Sequence, residues 1–114
     1  MTNVTATADT IVSDYTGLGN WISLHTGAPG STSTPANEAS GGSPAYARQS
    51  TTWTVAGSTA TGSAVTFNVP AGTYSYMGVC SASTGSNLVD WCAITPQVIT
   101  AQSTITITPL ATAS

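Results

Sequence analysis

Ser23 and His25 are the residues whose types and spacing come closest to a catalytic pair. They stand two positions apart in a strand-like run, and such residues point to the same face of a sheet. A carboxylate from Asp9, Asp14 or Glu38 would complete the serine–histidine–acid arrangement of a hydrolase. No serine lies in a Gly-x-Ser-x-Gly motif, and serines are so frequent that chance explains the pair better. We predict that the chain is not an enzyme.

Metal binding and paired-carboxylate chemistry have little support. His25 is the only histidine, and Cys80 and Cys92 lack the short spacing of zinc-binding knuckles. Glu38 and Asp90 would be the pair for glycoside hydrolysis, but no feature of the sequence brings them together. We expect no metal and no cofactor.

The two cysteines, Cys80 and Cys92, each lie in an apolar, strand-like run. A reducing cytosol disfavours a disulfide, and a buried free cysteine packs as a small hydrophobic residue. We favour two buried thiols. A cross-strand bridge is the alternative, and it requires Cα atoms within about 7 Å of each other.

Arg48 is the only lysine or arginine in the chain. It follows Tyr46 in a strand-like segment, and Glu38 precedes it by ten positions. A guanidinium can bind a carboxylate and several carbonyls at once. We therefore predict that Arg48 holds down a long loop at 27–44 through Glu38; the alternative is a contact between subunits.

Charge is nearly absent from this chain, which has four acidic residues, one basic residue and a net charge of −3. Phosphate binding needs several basic side chains, so nucleic acid is excluded as a partner, and so is a basic membrane surface. The polarity comes from 22 threonines and 15 serines. The first residues lack the basic and apolar regions of a signal peptide, so we expect synthesis in the host cytoplasm.

Five aromatic side chains could form a surface on which sugars stack: Trp21, Trp53, Trp91, Tyr74 and Tyr76. Trp53 and Trp91 lie in apolar strand patterns, however. A place in the core or at a subunit interface fits them better than a sugar platform.

The elements that must position these residues are predominantly strands. Residues 1–8 predict an extended arm, and apolar residues at helical spacing after Asp9 predict one short helix ending near Gly17. Strand patterns then follow at 21–26, 46–56, 64–69, 74–81, 88–94 and 98–110. Gly, Pro, Ser, Thr and Asn make 27–44 a long surface loop, and 82–87 connects a hairpin.

These elements predict an all-β fold, an antiparallel β-sandwich or jelly-roll-like domain with one short N-terminal helix. Residues 1–8 form the arm and residues 9–114 a single domain. The strands carry almost no charge to discourage pairing between sheet edges. Other subunits that cover the sheet edges would prevent such pairing, so we expect the chain to be part of an assembly.

Several motifs resemble small virion proteins of phages that infect actinobacteria and related hosts, a group described as tail-fibre, minor tail or head-decoration proteins. The first block comprises ISLHTGAPG at 22–30, ANE at 36–38, GG at 41–42, YARQ at 46–49 and Trp53. The second comprises MGVCSASTG at 77–85 and LVDW at 88–91. The resemblance covers about residues 21–110 and implies a component of the virion.

The leading functional prediction is a capsid decoration or minor capsid protein that stabilises the particle through contacts with the major capsid protein. The alternative is a short tail-fibre or tail-tip module that contacts the host surface, and a carbohydrate-binding domain comes third. We expect a homo-oligomer on the virion surface, most simply a trimer. The candidate contact and structural residues are Asn3, Val4, Thr5, His25, Pro29, Asn37, Glu38 and Arg48.

Overall fold

A computed structural model describes residues 19–56 and 59–112. Over these residues the chain is all-β with antiparallel sheets, which confirms that part of the predicted fold class. The strands are β1 Trp21–His25, β2 Gln49–Ser50, β3 Trp53–Ala56, β4 Thr59–Gly62, β5 Val65–Val69, β6 Gly72–Cys80, β7 Leu88–Ile99, β8 Ser103–Ile107 and β9 Leu110–Thr112. The predicted arm at 1–8 and the helix after Asp9 lie outside the described residues.

The strands of the described residues form three antiparallel sheets. The largest has the order β2-β1-β6-β7, the second has the order β3-β4-β9, and β5 pairs with β8. In the part of the chain that the structure describes, no helix is long and apolar enough to cross a membrane.

The core lies between the four-stranded sheet and the β5–β8 pair. Val65, Phe67 and Val69 alternate with polar residues along β5, so all three point to one face and are buried together. The cluster they join contains Ile22, Leu24, Ala39, Tyr74, Met77, Val79 and Ile105. Strict alternation was therefore a reliable signal, because a strand with one apolar face must bury that face.

The four-stranded sheet has two different faces. Ile22 lies opposite Val79, and Leu24 opposite Met77; these residues form the core-side face. Directly opposed residues of antiparallel strands share a face. Ser23 lies opposite Gly78, so both residues belong to the other face of the sheet. We call this second face the loop-side face, because the segment 26–48 contacts it.

The predicted strand at 46–56 is wrong as one continuous element. Only 49–50 and 53–56 are extended and paired, and they belong to different sheets. The change of sheet occurs at Thr51, whose N–H donates to the carbonyl of Asn20 while its hydroxyl donates to the carbonyl of Ser63. Thr51 thus ties β1 to the segment that follows β4, and one strand cannot serve both sheets.

Two further boundaries differ from the prediction. The run predicted as one strand at 98–110 divides between the end of β7, all of β8 and the start of β9. Pro109 separates β8 from β9, and proline has no N–H to donate to a ladder. β4 has no counterpart among the predicted strands, because Thr59–Gly62 carries only small residues and no large apolar alternation.

Candidate functional site

The segment 26–48 contacts the loop-side face of the sheet at Gly30 and Ala36, and it runs along the edge of β1 at Glu38 and Ala39. The N–H of Thr26 donates to the carbonyl of Asn37 (2.9 Å), and the N–H of Ala39 donates to the carbonyl of Leu24 (2.9 Å). Farther along, the N–H of Leu88 donates to the carbonyl of Ser33 (2.9 Å). The first of these bonds folds the loop back on itself, and the other two attach it to β1 at Ala39 and to β7 at Ser33.

Ser23 and His25 are in contact beneath this loop. The Ser23 hydroxyl lies 2.7 Å from Nε2 of His25, and Nδ1 of His25 lies 2.9 Å from the carbonyl oxygen of Ala36. Because a carbonyl can only accept, Nδ1 carries the proton and Nε2 accepts the Ser23 hydroxyl proton. The thiol of Cys80 lies 3.8 Å from the same hydroxyl oxygen.

This pair does not have the arrangement of a hydrolase. Nδ1 of His25 faces a backbone carbonyl where a catalytic triad has a carboxylate. Ser23 and His25 are both 0 % exposed, so a substrate has no access to the hydroxyl in this conformation. The geometry instead makes His25 a link between β1 and the loop at Ala36.

Burial lowers the pKa of His25 below its ordinary value of 6.5. The hydrogen bond to Ala36 and the charge of Glu38 act in the opposite direction, while the charge of Arg48 acts with burial. His25 is therefore neutral in the folded chain at pH values where the unfolded chain binds a proton.

We expect the free energy of unfolding to fall as the pH drops below about 6.5, the ordinary histidine value. The sign follows because the unfolded state then binds more protons than the folded state, so acid favours unfolding. Chemical denaturation of the wild-type chain at about pH 7.5 and about pH 5.5 measures the loss.

The matched variant is His25→Asn, whose amide N–H can still donate to Ala36 but does not titrate. We expect it to be less stable than the wild type and nearly independent of pH over the same interval. The same pH dependence in both proteins would show that another group is responsible.

Arg48 is buried and uses all five of its N–H donors. Nε and Nη2 donate to the two carboxylate oxygens of Glu38, at 2.8 and 2.9 Å. Nη2 also donates to the carbonyl of Gly85 (2.9 Å), and Nη1 donates to the carbonyl of Ala82 (3.1 Å) and to Oδ1 of Asn87 (2.9 Å). A planar guanidinium is the side chain that can satisfy five acceptors in this way.

The guanidinium joins two loops that are far apart in the sequence. Glu38 belongs to the loop 26–48, whereas the other three acceptors belong to the β6–β7 hairpin loop at 81–87. Asn87 also organises the hairpin loop, since its Nδ2 donates to the carbonyl of Thr84 at 2.6 Å. Sequence reasoning named Arg48 and Glu38 but missed Asn87, which has no local signal.

Tyr46 completes the network around Glu38. Its hydroxyl donates to Oε2 of Glu38 (2.9 Å) and accepts the N–H of Leu24 (3.0 Å). Burial raises the pKa of Tyr46, so the hydroxyl keeps its proton. Burial alone would raise the pKa of Glu38 as well, but hydrogen bonds from Arg48 and Tyr46 outweigh it and hold that pKa below its ordinary value. The hydrogen bond to Glu38 likewise raises the pKa of Arg48.

The two cysteines are free thiols on opposite faces of the four-stranded sheet. Cys80 shares the loop-side face with Ser23, whereas Cys92 lies opposite Met77 on the core-side face. Cys80 is buried, as expected, but the prediction that Cys92 is buried is wrong, because it lies on β7, the last strand in the order of its sheet, where most residues are exposed. The two thiols and His25 therefore do not come together. Residues 19–56 and 59–112 contain no group of three His, Cys, Asp or Glu side chains placed to hold a metal ion.

The five aromatic side chains do not share one exposed surface. Tyr74 belongs to the core, and Trp53 packs against it. Tyr76 and Trp91 form an edge-to-face pair with centroids 5.5 Å apart. The indole N–H of Trp91 donates to the carbonyl of Gly30 at 2.7 Å, so this pair holds the loop 26–48 against β7.

The other residues named from the sequence have different surroundings. Pro29 is fully buried, so it offers no surface to a partner in this conformation. Asn37 is exposed, has a left-handed backbone (φ 59°), and donates from Nδ2 to the carbonyl of Ala28 at 3.2 Å. Asn3, Val4 and Thr5 lie outside the described residues.

The side chains of His25, Arg48 and Trp91 attach the loop 26–48 to the sheet or to the hairpin loop at 81–87. A family model, Gp80, described as podophage GP4 fiber I protein gp80, matches residues 5–112. The chain therefore belongs to this phage fibre family, and a structural role in the virion follows. No curated protein and no solved structure matches the chain.

Proposed function

We propose that this chain is a structural module of a podophage tail fibre, and that it acts through contacts with other proteins. The observation that carries the proposal is the match of the fibre family over residues 5–112. It favours the tail-fibre alternative over the capsid-decoration role that the sequence alone placed first. The specific link to phages of actinobacteria receives no support from this match.

The geometry supports a role without catalysis. The Ser23–His25 pair is enclosed and faces a carbonyl, and the Arg48 side chain has a protein acceptor for each N–H. The polar side chains of these two sites make their hydrogen bonds within the protein, which supports action through contacts of the outer surface. The shared core of the four-stranded sheet and the β5–β8 pair also suits a sandwich-like module.

The partners in this proposal are neighbouring virion proteins and further copies of the same chain, with the host surface as a possible target of the assembled fibre. Nucleic acid is not a partner, because a single basic residue buried in an ion pair cannot bind phosphates. The chain would lie at the surface of the particle.

Immunogold electron microscopy of purified virions tests the proposal. An antibody raised against the 114-residue chain should label the tail, and quantitative mass spectrometry of the same particles should show low copy number relative to the major capsid protein. Labelling spread over the head, with a copy number that matches the capsid lattice, would overturn the tail-fibre role. Antibody absorbed with the purified chain is the control.

A further inference from the structure

A cavity opens between the loop 26–48 and the hairpin loop at 81–87. Its volume is about 300 Å³, at the lower end of the range of small-molecule sites, which is roughly 300–1,000 Å³. One wall consists of residues 38–41 and 46–48, and the other consists of residues 83–85. The cavity therefore lies where two segments distant in the sequence meet, and binding residues commonly lie on loops that a rigid sheet positions.

Arg48 fixes the relative position of the two walls. Its guanidinium donates to Glu38 on one wall and to the carbonyl of Gly85 on the other, and its side chain is only 4 % exposed. Replacing a whole buried ion pair by apolar residues is often neutral for stability, so stability alone does not account for such a network. A cavity whose walls are already in place binds a ligand with a smaller loss of conformational freedom.

Glu38 presents an acceptor that this network leaves partly unused. Within the described residues Oε2 accepts from Tyr46 and from Nε of Arg48, whereas Oε1 accepts from Nη2 of Arg48 alone. A carboxylate oxygen has two lone pairs, so Oε1 can accept one further hydrogen bond. The Glu38 side chain lines the cavity and is 20 % exposed, so a donor can approach the carboxylate from the solvent.

Hydroxyl groups share the cavity with this carboxylate. Ser40, Ser83 and Thr84 line it and are exposed, and their hydroxyls make no hydrogen bond within residues 19–56 and 59–112. Each hydroxyl can donate one hydrogen bond and accept two. Ala39 and Ala47 add small apolar surface to the lining. The cavity thus combines convergent polar groups with apolar surface, as small-molecule sites do.

Charge and backbone bonding indicate the class of ligand. Glu38 and Arg48 neutralise each other, and the lining contains no other charged side chain, so an ion of either sign gains no net attraction. A peptide is usually bound through backbone groups, but the carbonyls of Gly41 and Gly85 already accept from Tyr46 and Arg48. The groups that remain are side-chain hydroxyls and one carboxylate oxygen, which fit a neutral molecule with several hydroxyls.

We infer that this cavity binds a neutral sugar unit. One sugar hydroxyl donates to Oε1 of Glu38, and others bond to Ser40, Ser83 and Thr84, while the carbon–hydrogen surface of the ring lies against the two alanines. The inference goes beyond the proposed function, because it concerns a site on the chain itself and does not depend on where the virion carries it.

NMR titration of the ¹⁵N-labelled 114-residue chain tests the site. The probes are glucose, galactose, mannose, rhamnose and N-acetylglucosamine at millimolar concentration. At least one of them should shift the amide resonances of residues 38–41, 46–48 and 83–85 in a saturable way. Each sugar is used free and as its methyl glycoside, because a site that also accepts the glycoside can bind a sugar at the end of a polysaccharide.

Variants of the hairpin loop separate the cavity from the rest of the surface. Ser83→Ala and Thr84→Val each remove one hydroxyl and should weaken binding about 2- to 10-fold, the usual effect of losing one hydrogen bond. Ser86→Ala is the matched control, because Ser86 is an exposed serine of the same loop that does not line the cavity. It should leave the affinity unchanged, and the dispersion of the amide resonances shows that each variant is folded.

The absence of a response at the cavity to all five sugars would overturn the inference, as would an equal loss of affinity in Ser86→Ala and Ser83→Ala. The peptide Gly-Ser-Thr-Ser-Thr is the competing probe. A response of the same amides to this peptide, without one to the sugars, would overturn the inference in favour of a protein ligand. Labelling of the virion tail is independent of these results, so failure of the sugar site leaves the tail-fibre role in place.

Discussion

Replacing Arg48 by alanine is expected to lower the free energy of unfolding by about 3–5 kcal/mol, the usual loss when one partner of a buried ion pair is removed. The variant leaves the Glu38 carboxylate without its two strongest donors and removes the guanidinium donor from the carbonyls of Ala82 and Gly85. Oδ1 of Asn87 loses the guanidinium as well and keeps only the N–H of Ala82 (3.3 Å). A domain has roughly 5–15 kcal/mol in total, so the fold should survive with a lower melting temperature. Urea denaturation followed by tryptophan fluorescence measures the loss.

Two controls separate charge from geometry at this position. Arg48→Lys keeps the positive charge but has a single compact donor group, so it should recover only part of the stability. A double-mutant cycle with Glu38→Gln measures the coupling of the two side chains. A loss for Arg48→Ala below about 1 kcal/mol, as in an exposed ion pair, would show that the guanidinium does not hold the two loops.

Replacing Gly78 by alanine is expected to cost about 1–3 kcal/mol, the range for overpacking a close-packed site. A Cβ at this position would overlap Oγ of Ser23 and would lie 3.0 Å from both Nε2 of His25 and Cδ1 of Leu88. The Leu88 methyl can move, but Ser23 and His25 are held by their mutual hydrogen bond. Thermal unfolding of the purified variant measures the effect.

A second variant, Ser23→Ala, removes the Oγ atom that a Cβ at position 78 would overlap. Ser23→Ala by itself should be destabilising, because it leaves Nε2 of His25 without a donor. In that background the added cost of Gly78→Ala should be smaller than in the wild type. An equal cost in both backgrounds would mean that the close approach of Gly78 to Ser23 does not determine the loss.

These two sites differ in how much of them could be predicted. The pairing of Arg48 with Glu38 was accessible from the sequence, because a lone cation near an acid in a chain with so few charges has few alternatives. The acceptors from the hairpin loop were not accessible. Asn87 stands 39 positions after Arg48, and no local pattern indicates which loops the sheet brings together.

The Ser23–His25 contact was also open to prediction, since strand alternation places the two side chains on one face. The burial of this pair away from solvent could not be predicted. It depends on the loop 26–48 lying over that face, with the carbonyl of Ala36 at Nδ1 of His25. Gly78 is part of the same arrangement, because only a residue without a side chain leaves room opposite Ser23.

The sequence by itself determined the all-β class, the strands with strict apolar alternation such as 65–69, and the near absence of charge, from which we predict that nucleic acid is not a partner. Each of these depends on local period or on composition. The tertiary structure decided which sheet each half of 46–56 joins, and that Cys92 is exposed. These features depend on the register between strands distant in the chain, and register is set by how the whole core packs.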